Sequence, residues 1–280
     1  MILEKGTLYV VATPIGNLGD MSQRAIEVLQ QVDMIAAEDT RRSGRLLQHF
    51  DISGRFLALH EHNERQVTGR VLDYLQQGKS IALISDAGTP LLSDPGYYLV
   101  REAIRAGFRI IPIPGPSAVA TALSAAGLPT DRFRFEGFLP AKSTARRNRL
   151  MQIKDETATL VFYEAPHRIL ETLADMQEVF GGEREAILAR ELTKTFETFL
   201  RGNLEAIRQR VETDTDQQKG EMVILLHGAP PPDSSGISAE AERILNILLK
   251  ELPLKQAAAL ASEITGVKKN RLYEHALKRN

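Results

Sequence analysis

Residues Ser80–Gly96 read "SIALISDAGTPLLSDPG". The first six are apolar or small, with β-branched Ile81 and Ile84, the texture of a strand buried on both faces. The next eleven, Asp86–Gly96, hold two Asp, two Pro and two Gly. A surface turn needs only one or two such residues, so the loop carries an excess that turn chemistry does not explain. A buried strand that opens into a crowded loop is the pattern of the carboxyl end of a strand in a parallel α/β sheet, where ligands bind.

The flanking sequence agrees with that reading. "TLYVVAT", "DMIAAE", "RFLAL" and "FRIIPI" are further short apolar runs between Thr7 and Leu128. Amphipathic stretches such as "SQRAIEVLQQ" and "VTGRVLDYLQQG", the latter closed by Gly78, separate them. Strands alternating with helices predict a parallel sheet over residues 1–130. From Arg132 the strands crowd together ("RFRFEGF", "TATLVFYE", "EAILARE", "TFETFLRG", "GEMVILLHG"), which predicts a second α/β domain with a mixed sheet over 131–228. "HGAPPPDSSG" is rich in Pro, Ser and Gly, and a linker is expected at 229–236. Residues 237–280 are helical in pattern throughout.

Composition narrows the function. The 280 residues carry a net charge of −1, so any nucleic-acid binding must rest on a local patch. There is no Cys, which removes disulfides, thiolate nucleophiles and Cys-type zinc sites and fits a reducing compartment. The apolar stretch near the N-terminus spans about eight residues, too short for a membrane span. A cytoplasmic protein with no membrane partner is expected. His60 and His62 lie in "HEHNE" without a third ligand in a metal-binding spacing, so no metal is expected.

Five consecutive strand ends carry Gly, Pro or charge: "TPIGNLGD" (13–20), "EDTRRS" (38–43), "HEHNE" (60–64), "DAGTPLLSDPG" and "PGPSA" (114–118). Together they predict one shared site. The first loop lacks the G-x-G-x-x-G order, although Glu38 and Asp39 lie where a dinucleotide fold places its ribose-binding acid. No P-loop motif occurs. "PGPSA" offers a hydroxyl and exposed N–H groups at a helix N-terminus, suited to a carboxylate or hydroxyl. Gly88 and Gly115 allow close backbone approach.

In this order "TPIGNLGD", "AEDTR", "SDAGTPLLSDPG", "PGPSA" and "GFLP" resemble the class III S-adenosylmethionine methyltransferases, the tetrapyrrole methylase superfamily. "FYEAPHR", "ARELTKTFE" and "KGEMV" extend the resemblance, within the branch that acts on small-subunit ribosomal RNA, over essentially the whole chain. The resemblance implies two α/β domains with S-adenosyl-L-methionine between them, and a homodimer. It implies 2′-O-methylation of a cytidine ribose in the decoding region of 16S rRNA within the small ribosomal subunit. It carries cofactor contacts to Ile15, to Asp86, Ala87, Gly88, Thr89 and Pro90, and to Ser117 and Ala118. Tyr163, Leu192 and Met222 are expected to close over the adenine side. Relatives acting on tetrapyrroles carry G-x-G-x-G in the first loop, whereas Ala12, Pro14 and Gly16 stand here.

A ribose hydroxyl is a weak acid, so a base at a strand end is expected to assist methyl transfer. Glu38, Asp39, His60, His62, Glu64 and Glu164 are the candidates. Asp39 with Glu38 is favoured, because two adjacent acids before "TRRS" exceed what a helix cap needs. Asp94, followed by Pro95, reads as the N-cap of the next helix. "PAKSTARRNRL" carries Lys142, Arg146, Arg147 and Arg149 with no acid, and is expected to grip rRNA phosphates, as are Arg41 and Arg42. The tail has small Ala residues, then "TG", then a basic amphipathic helix, the pattern of a helix-turn-helix. Its eight Lys and Arg against five Asp and Glu give it a local excess of positive charge, with Lys268, Lys269 and Arg271 as candidate RNA contacts. A small-molecule methylase acting on a tetrapyrrole-like substrate, and a non-catalytic RNA-binding protein, are the alternatives. A tetrapyrrole enzyme needs neither basic segment.

Overall fold

The computed structural model describes residues 3–231 and 239–277. In the first sheet β1 (Thr7–Val11), β2 (Met34–Ala37), β3 (Phe56–Ala58), β4 (Ile81–Ile84) and β5 (Arg109–Ile113) lie in the order β3-β2-β4-β1-β5. Every pairing is parallel, as the near-continuous apolar runs predict. The connecting helices are α1 (Gln23–Gln31), α2 (Thr40–His49), α3 (Glu64–Gln76) and α4 (Tyr97–Arg105). They cover both faces, so every residue of β4 is buried. Pro112 is accommodated because β5 is an edge strand, where a missing N–H costs little. The chain leaves β1, builds outward to β3, then returns to insert β4 beside β1. The loops after β1 and β4 are thereby neighbours at a topological switch point.

After α5 (Ala118–Ala126) comes the second sheet, from β6 (Phe133–Phe138), β7 (Thr159–Glu164), β8 (Glu185–Arg190), β9 (Thr198–Asn203) and β10 (Met222–Leu226). Its order is β6-β7-β10-β8-β9, with β6–β7 parallel and the rest antiparallel, a mixed sheet. Helices α6 (Ser143–Gln152), α7 (Ile169–Phe180) and α8 (Leu204–Thr213) pack with Phe162, Leu188, Ile224 and Leu226 in one core. The other face of the sheet, through Val161, Ile187, Ala189, Val223 and Leu225, packs on α5. That second cluster also takes in Ile15 of the first loop, so α5 joins the two sheets in one unit spanning residues 1–228.

Residues 229–280 form a separate unit. The expected linker at 229–236 lies mostly outside the described residues. Helices α9 (Ala239–Leu248), α10 (Leu254–Thr265) and α11 (Lys269–Leu277) enclose Ala241, Leu245, Ala257, Ala258, Ala261 and Leu272. The alanines let the helix axes approach closely, and α10 ends at Gly266 in the left-handed conformation. No described helix is long and apolar enough to cross a membrane.

Candidate active site

The loops at the carboxyl ends of the first sheet are laced together. Thr13 N–H donates to Gly88 O (2.9 Å) and Gly88 N–H returns to Thr13 O (3.0 Å). Thr89 Oγ1 donates to Pro116 O at 3.0 Å, which ties the third of these loops to the first two. Gly88 has φ +83°, and a Cβ there would stand 3.3 Å from Ile15 Cγ2, so only glycine lets the β4 loop lie this close to the first. Asp86 does not sit free in the cleft. Its Oδ1 accepts from Asp39 N–H at 3.0 Å and its Oδ2 from Arg42 Nη1 at 3.1 Å, which binds the β4 loop to the start of α2.

Asp39 is the N-cap of α2. Its Oδ1 accepts from the N–H groups of Arg41 (2.9 Å) and Arg42 (3.4 Å), and its Oδ2 pairs with Arg41 Nη2 at 3.3 Å. Those donors hold its carboxyl below the ordinary range, with the Arg41 side chain the largest cause. Asp39 by itself supplies the cap of α2, and Glu38 takes no part in it. We predict that Asp39→Asn, which preserves the cap, leaves turnover unchanged, while Asp39→Ala lowers the thermal midpoint. Because the native pKa is depressed, this stabilisation is complete above the ordinary carboxyl pKa and is lost as pH falls through the native value. Thermal unfolding at a series of pH values reads it; equal midpoints for Asp39→Ala and the unsubstituted chain would remove the cap.

Glu38 differs. Burial raises its pKa first, followed by the charges of Asp86, Asp94 and Glu61, with Arg42 partly offsetting them. The remaining candidate bases have structural roles. Glu64 Oε1 accepts from the N–H groups of Gly96 (2.9 Å), Tyr98 (2.8 Å) and Leu99 (3.3 Å), capping α4 from the start of the neighbouring α3. Glu164 is buried and bonded to Thr172 Oγ1, Ala165 N–H and Arg168. His60 N–H bonds to Asn63 Oδ1 at 2.8 Å, and its ring stacks edge-on with His62.

The expectation for Asp94 is overturned. The N-cap of α4 is Gly96, and its helix-start donors are taken by Glu64, so Asp94 caps nothing. Asp94 is half-buried, and the Ser85 hydroxyl donates to the carbonyls of Ala87 (3.3 Å) and Gly88 (3.4 Å). Burial raises the Asp94 pKa to about 6, and the negative charge of Asp86 adds to the shift. Glycine is itself an accepted N-cap residue, so Gly96 could have been read as the cap in place of Asp94.

Tyr163 lies on β7 and packs against the cluster of Ile15 and Val119, its ring edge-on to Phe135 and Phe138. Its pKa is pushed up to about 12 by burial, and then by the charge of Asp94. Leu192 packs in the same cluster as Ile15, Ala118 and Val119. Met222 does not. Alternation along β10 turns its side chain to the opposite face of the second sheet, into the core with Phe162 and Leu188. It cannot close over a ligand in the cleft. Lys194, not foreseen, lays its aliphatic stem over Gly16, where a Cβ would meet Cγ at 2.5 Å, while its Nζ bonds Glu191 and Glu221.

The basic run of α6 is also different from expectation. Arg146 is 1 % exposed and pairs with Asp175 at 2.6 Å, with Ala141 O as a further acceptor, so it cannot reach a phosphate. Arg147 pairs with Glu178 and Arg149 with Glu136. The acids absent from the segment itself are supplied by α7 and β6. Lys142 is exposed, as are Arg41 and Arg42 at the mouth of the loops. Lys268, Lys269 and Arg271 are exposed at the start of α11.

The residues suit an amino-acid-bearing nucleoside. Ser117 opens the nine-residue α5 without a side-chain capping bond, leaving its hydroxyl and the helix N-terminus to receive a carboxylate. Ile15, Leu192 and Tyr163 supply an apolar wall. Residues 7–208 match the family model of the tetrapyrrole (corrin/porphyrin) methylases, and residues 235–280 that of the RsmI C-terminal HTH domain. Uroporphyrin-III-C-methyltransferase from Thermus thermophilus is 19 % identical with a TM-score of 0.54, covering 80 % of this chain and 94 % of its own. Diphthine synthase is 14 % identical with a TM-score of 0.59, covering 79 % and 89 %; both share the fold. The chain thus belongs to the tetrapyrrole methylase family, methyltransferases that use S-adenosyl-L-methionine. Within that family it groups with ribosomal RNA small subunit methyltransferase I. The Pseudomonas aeruginosa protein of that name is 59 % identical over 99 % of both chains. The one from Escherichia coli O157:H7 is 56 % identical over 98 % of this chain and 95 % of its own.

Proposed function

We propose that this protein methylates the 2′-hydroxyl of a cytidine ribose in the decoding region of 16S rRNA, acting as a cytoplasmic homodimer on the small ribosomal subunit. Its relatives' names support rRNA as substrate. The observation that carries the reading within this chain is the helical unit, which presents Lys268, Lys269 and Arg271 at the start of α11 as a helix-turn-helix presents phosphate contacts. The two α/β domains, 1–130 and 131–228, form the two walls of the cofactor cleft. Ser117 and Ala118 receive the carboxylate end of the cofactor, the Asp86–Pro90 backbone lies beneath it, and Ile15, Tyr163 and Leu192 flank the adenine.

When bound, S-adenosyl-L-methionine supplies a sulfonium methyl carbon whose leaving group is already good. The residues therefore act mainly by positioning. Linked loops keep the binding surface in one shape, so little ordering is required on association. Lys142 holds phosphates near the cleft, joined by the exposed guanidiniums of Arg41 and Arg42, which also pair with Asp39 and Asp86 as Arg147 and Arg149 pair with Glu178 and Glu136.

Mapping ribose methylation in rRNA from cells with and without the gene tests the reaction; an unchanged ribose pattern would overturn it. Phosphate contact by α11 has a separate signature. Replacing Lys268, Lys269 and Arg271 together by Ala is expected to reduce the salt slope of rRNA binding by roughly 2–3. Cofactor affinity, measured by calorimetry, is expected to stay unchanged. An unaltered slope would make the unit a packing module.

A further inference from the structure

We propose that the exposed ring of Phe138 is a stacking platform for a base of the rRNA strand that enters the cleft, a site that rests on the rRNA reading above. In β6, Phe135 and Phe138 are three residues apart, so strict alternation would put their side chains on opposite faces. Both rings nevertheless meet Tyr163 of β7, Phe135 at 4.8 Å between centroids and Phe138 at 5.5 Å. The strand register accounts for this. Phe135 lies opposite Val161 and Gly137 opposite Phe162, so Glu136 is an extra residue, a β-bulge, and Phe138 falls directly opposite Tyr163. Gly137, at φ +66°, allows the bend. Without the extra residue, Phe138 would turn to the face that packs on α6 and α7.

The bulge is held rigidly. The Glu136 carboxylate accepts from Arg149 of α6 at 2.6 Å and from Arg134. Leu139, next along, is buried in the core with Leu150 and Phe162. The carbonyls of Leu139 and Pro140 accept from Arg168 Nη2 at 2.7 and 3.3 Å, and Arg168 pairs with the buried Glu164. Phe138 is thus fixed at a strand end with 55 % of its surface exposed. A ring so placed forgoes most of the stabilisation that burial would give it.

Its position selects the ligand. The order β6-β7-β10-β8-β9 puts Leu192, just after β8, on one side of Tyr163, and Phe138, on the edge strand, on the other. Each end meets a loop of the first sheet. Lys194 lies over Gly16 of the first loop, and Ser93 Oγ, in the loop after β4, stands 3.0 Å from the position a Cβ would take on Gly137. With the adenine assigned to the Leu192 end, Phe138 marks the end left to the substrate. Lys142, four residues beyond, is exposed and forms no ion pair among the described residues. An open aromatic face followed by an unneutralised cation suits an unstacked nucleotide, with its base on the ring and a phosphate on the ammonium.

Binding of purified small ribosomal subunits by the full-length chain, with methylation of the same subunits followed in parallel, tests the site. Phe138→Ala is expected to weaken binding by about 5- to 150-fold, the loss of one base–aromatic stack. Its salt slope is expected to match that of the unsubstituted chain, because no phosphate contact is lost, whereas Lys142→Ala is expected to reduce the slope by about 1. Phe138→Trp is expected to keep the affinity, and Phe138→Leu, apolar but without a π-face, to lose it as Phe138→Ala does. Cofactor affinity by calorimetry and the sedimentation coefficient are expected to be unchanged in all three Phe138 variants. Full affinity of Phe138→Ala, or Phe138→Leu binding as tightly as Phe138→Trp, would overturn the stacking site. So would a loss of cofactor affinity, which would give the ring to the cofactor pocket, or a lighter sedimenting species, which would give it to a second copy of this chain. Small subunits left unmethylated by the unsubstituted chain would instead overturn the rRNA reading, independently of how Phe138→Ala behaves.

Discussion

Arg146→Ala is expected to lower the unfolding free energy by about 3–5 kcal/mol, the cost of leaving one member of a buried ion pair alone. Arg146 is the bulkiest fully buried side chain among the described residues, and Asp175, at 7 % exposure, depends on it. Removing the guanidinium leaves Asp175 with Ser143 Oγ as its remaining donor, at 2.9 Å. The aliphatic part of the arginine also packs between α6 and α7, so a cavity adds to the electrostatic loss. Replacing both partners tests the mechanism. Arg146→Met with Asp175→Leu is expected to recover most of the stability, because an apolar pair of similar volume has no desolvation penalty. Urea unfolding at constant m-value reads both variants. A loss under about 1 kcal/mol for Arg146→Ala would mean that water reaches the pair and that the arginine is available to RNA after all.

Gly96→Ala is expected to cost roughly 2–5 kcal/mol, combining backbone strain with overpacking. Gly96 has φ +122°, and its Cβ would come within 2.7 Å of Leu83 Cδ2 and 3.3 Å of Leu91 Cδ1. Leu83 lies in the centre of β4, so neither neighbour is the loose end of a surface side chain. Any shift of the Gly96 amide also weakens its bond to Glu64 and with it the start of α4. A loss of that size lowers the midpoint by about 2–4 °C for each kcal/mol in a unit of this length. Gly69 provides the control, since it lies in α3 at an ordinary φ with nothing within 4 Å of its Cβ position. Gly69→Ala is expected to add about 0.5–1 kcal/mol. Matching behaviour of the two substitutions in calorimetry would show that the close approach at Gly96 is not required.

The strands were readable because a strand buried on both faces needs an unbroken apolar run, and nearly all such runs here became strands. The convergence of the loops after β1, β4 and β5 was readable for a related reason, since a parallel sheet puts consecutive strand ends on one edge. What escaped reading were the partners supplied from far along the chain. "STARRNRL" contains no acid, yet Asp175 and Glu178 on α7 and Glu136 on β6 neutralise it. "SDPG" has the local chemistry of a cap, but Glu64, thirty-two residues earlier, already occupies the donors that a cap would serve. Met222 follows a resemblance by position, whereas strand alternation decides which face its side chain takes. Local sequence reports the demand for a partner, and only the fold reports who meets it.

The order β3-β2-β4-β1-β5 also sets a timetable for synthesis. Leu8 of β1 has its two backbone partners at Ile81 and Ile110, so the first strand made is among the last to be paired. At a ribosomal rate of about 5–20 residues per second, "TLYVV" waits roughly 4–15 s for β4 to be translated, and longer for β5. During that interval an apolar segment with unpaired backbone groups leads the nascent chain, a substrate that chaperones recognise. Refolding of the complete chain meets the same obstacle as a loop-closure cost, because no local contact can hold β1 in register before its distant neighbours arrive.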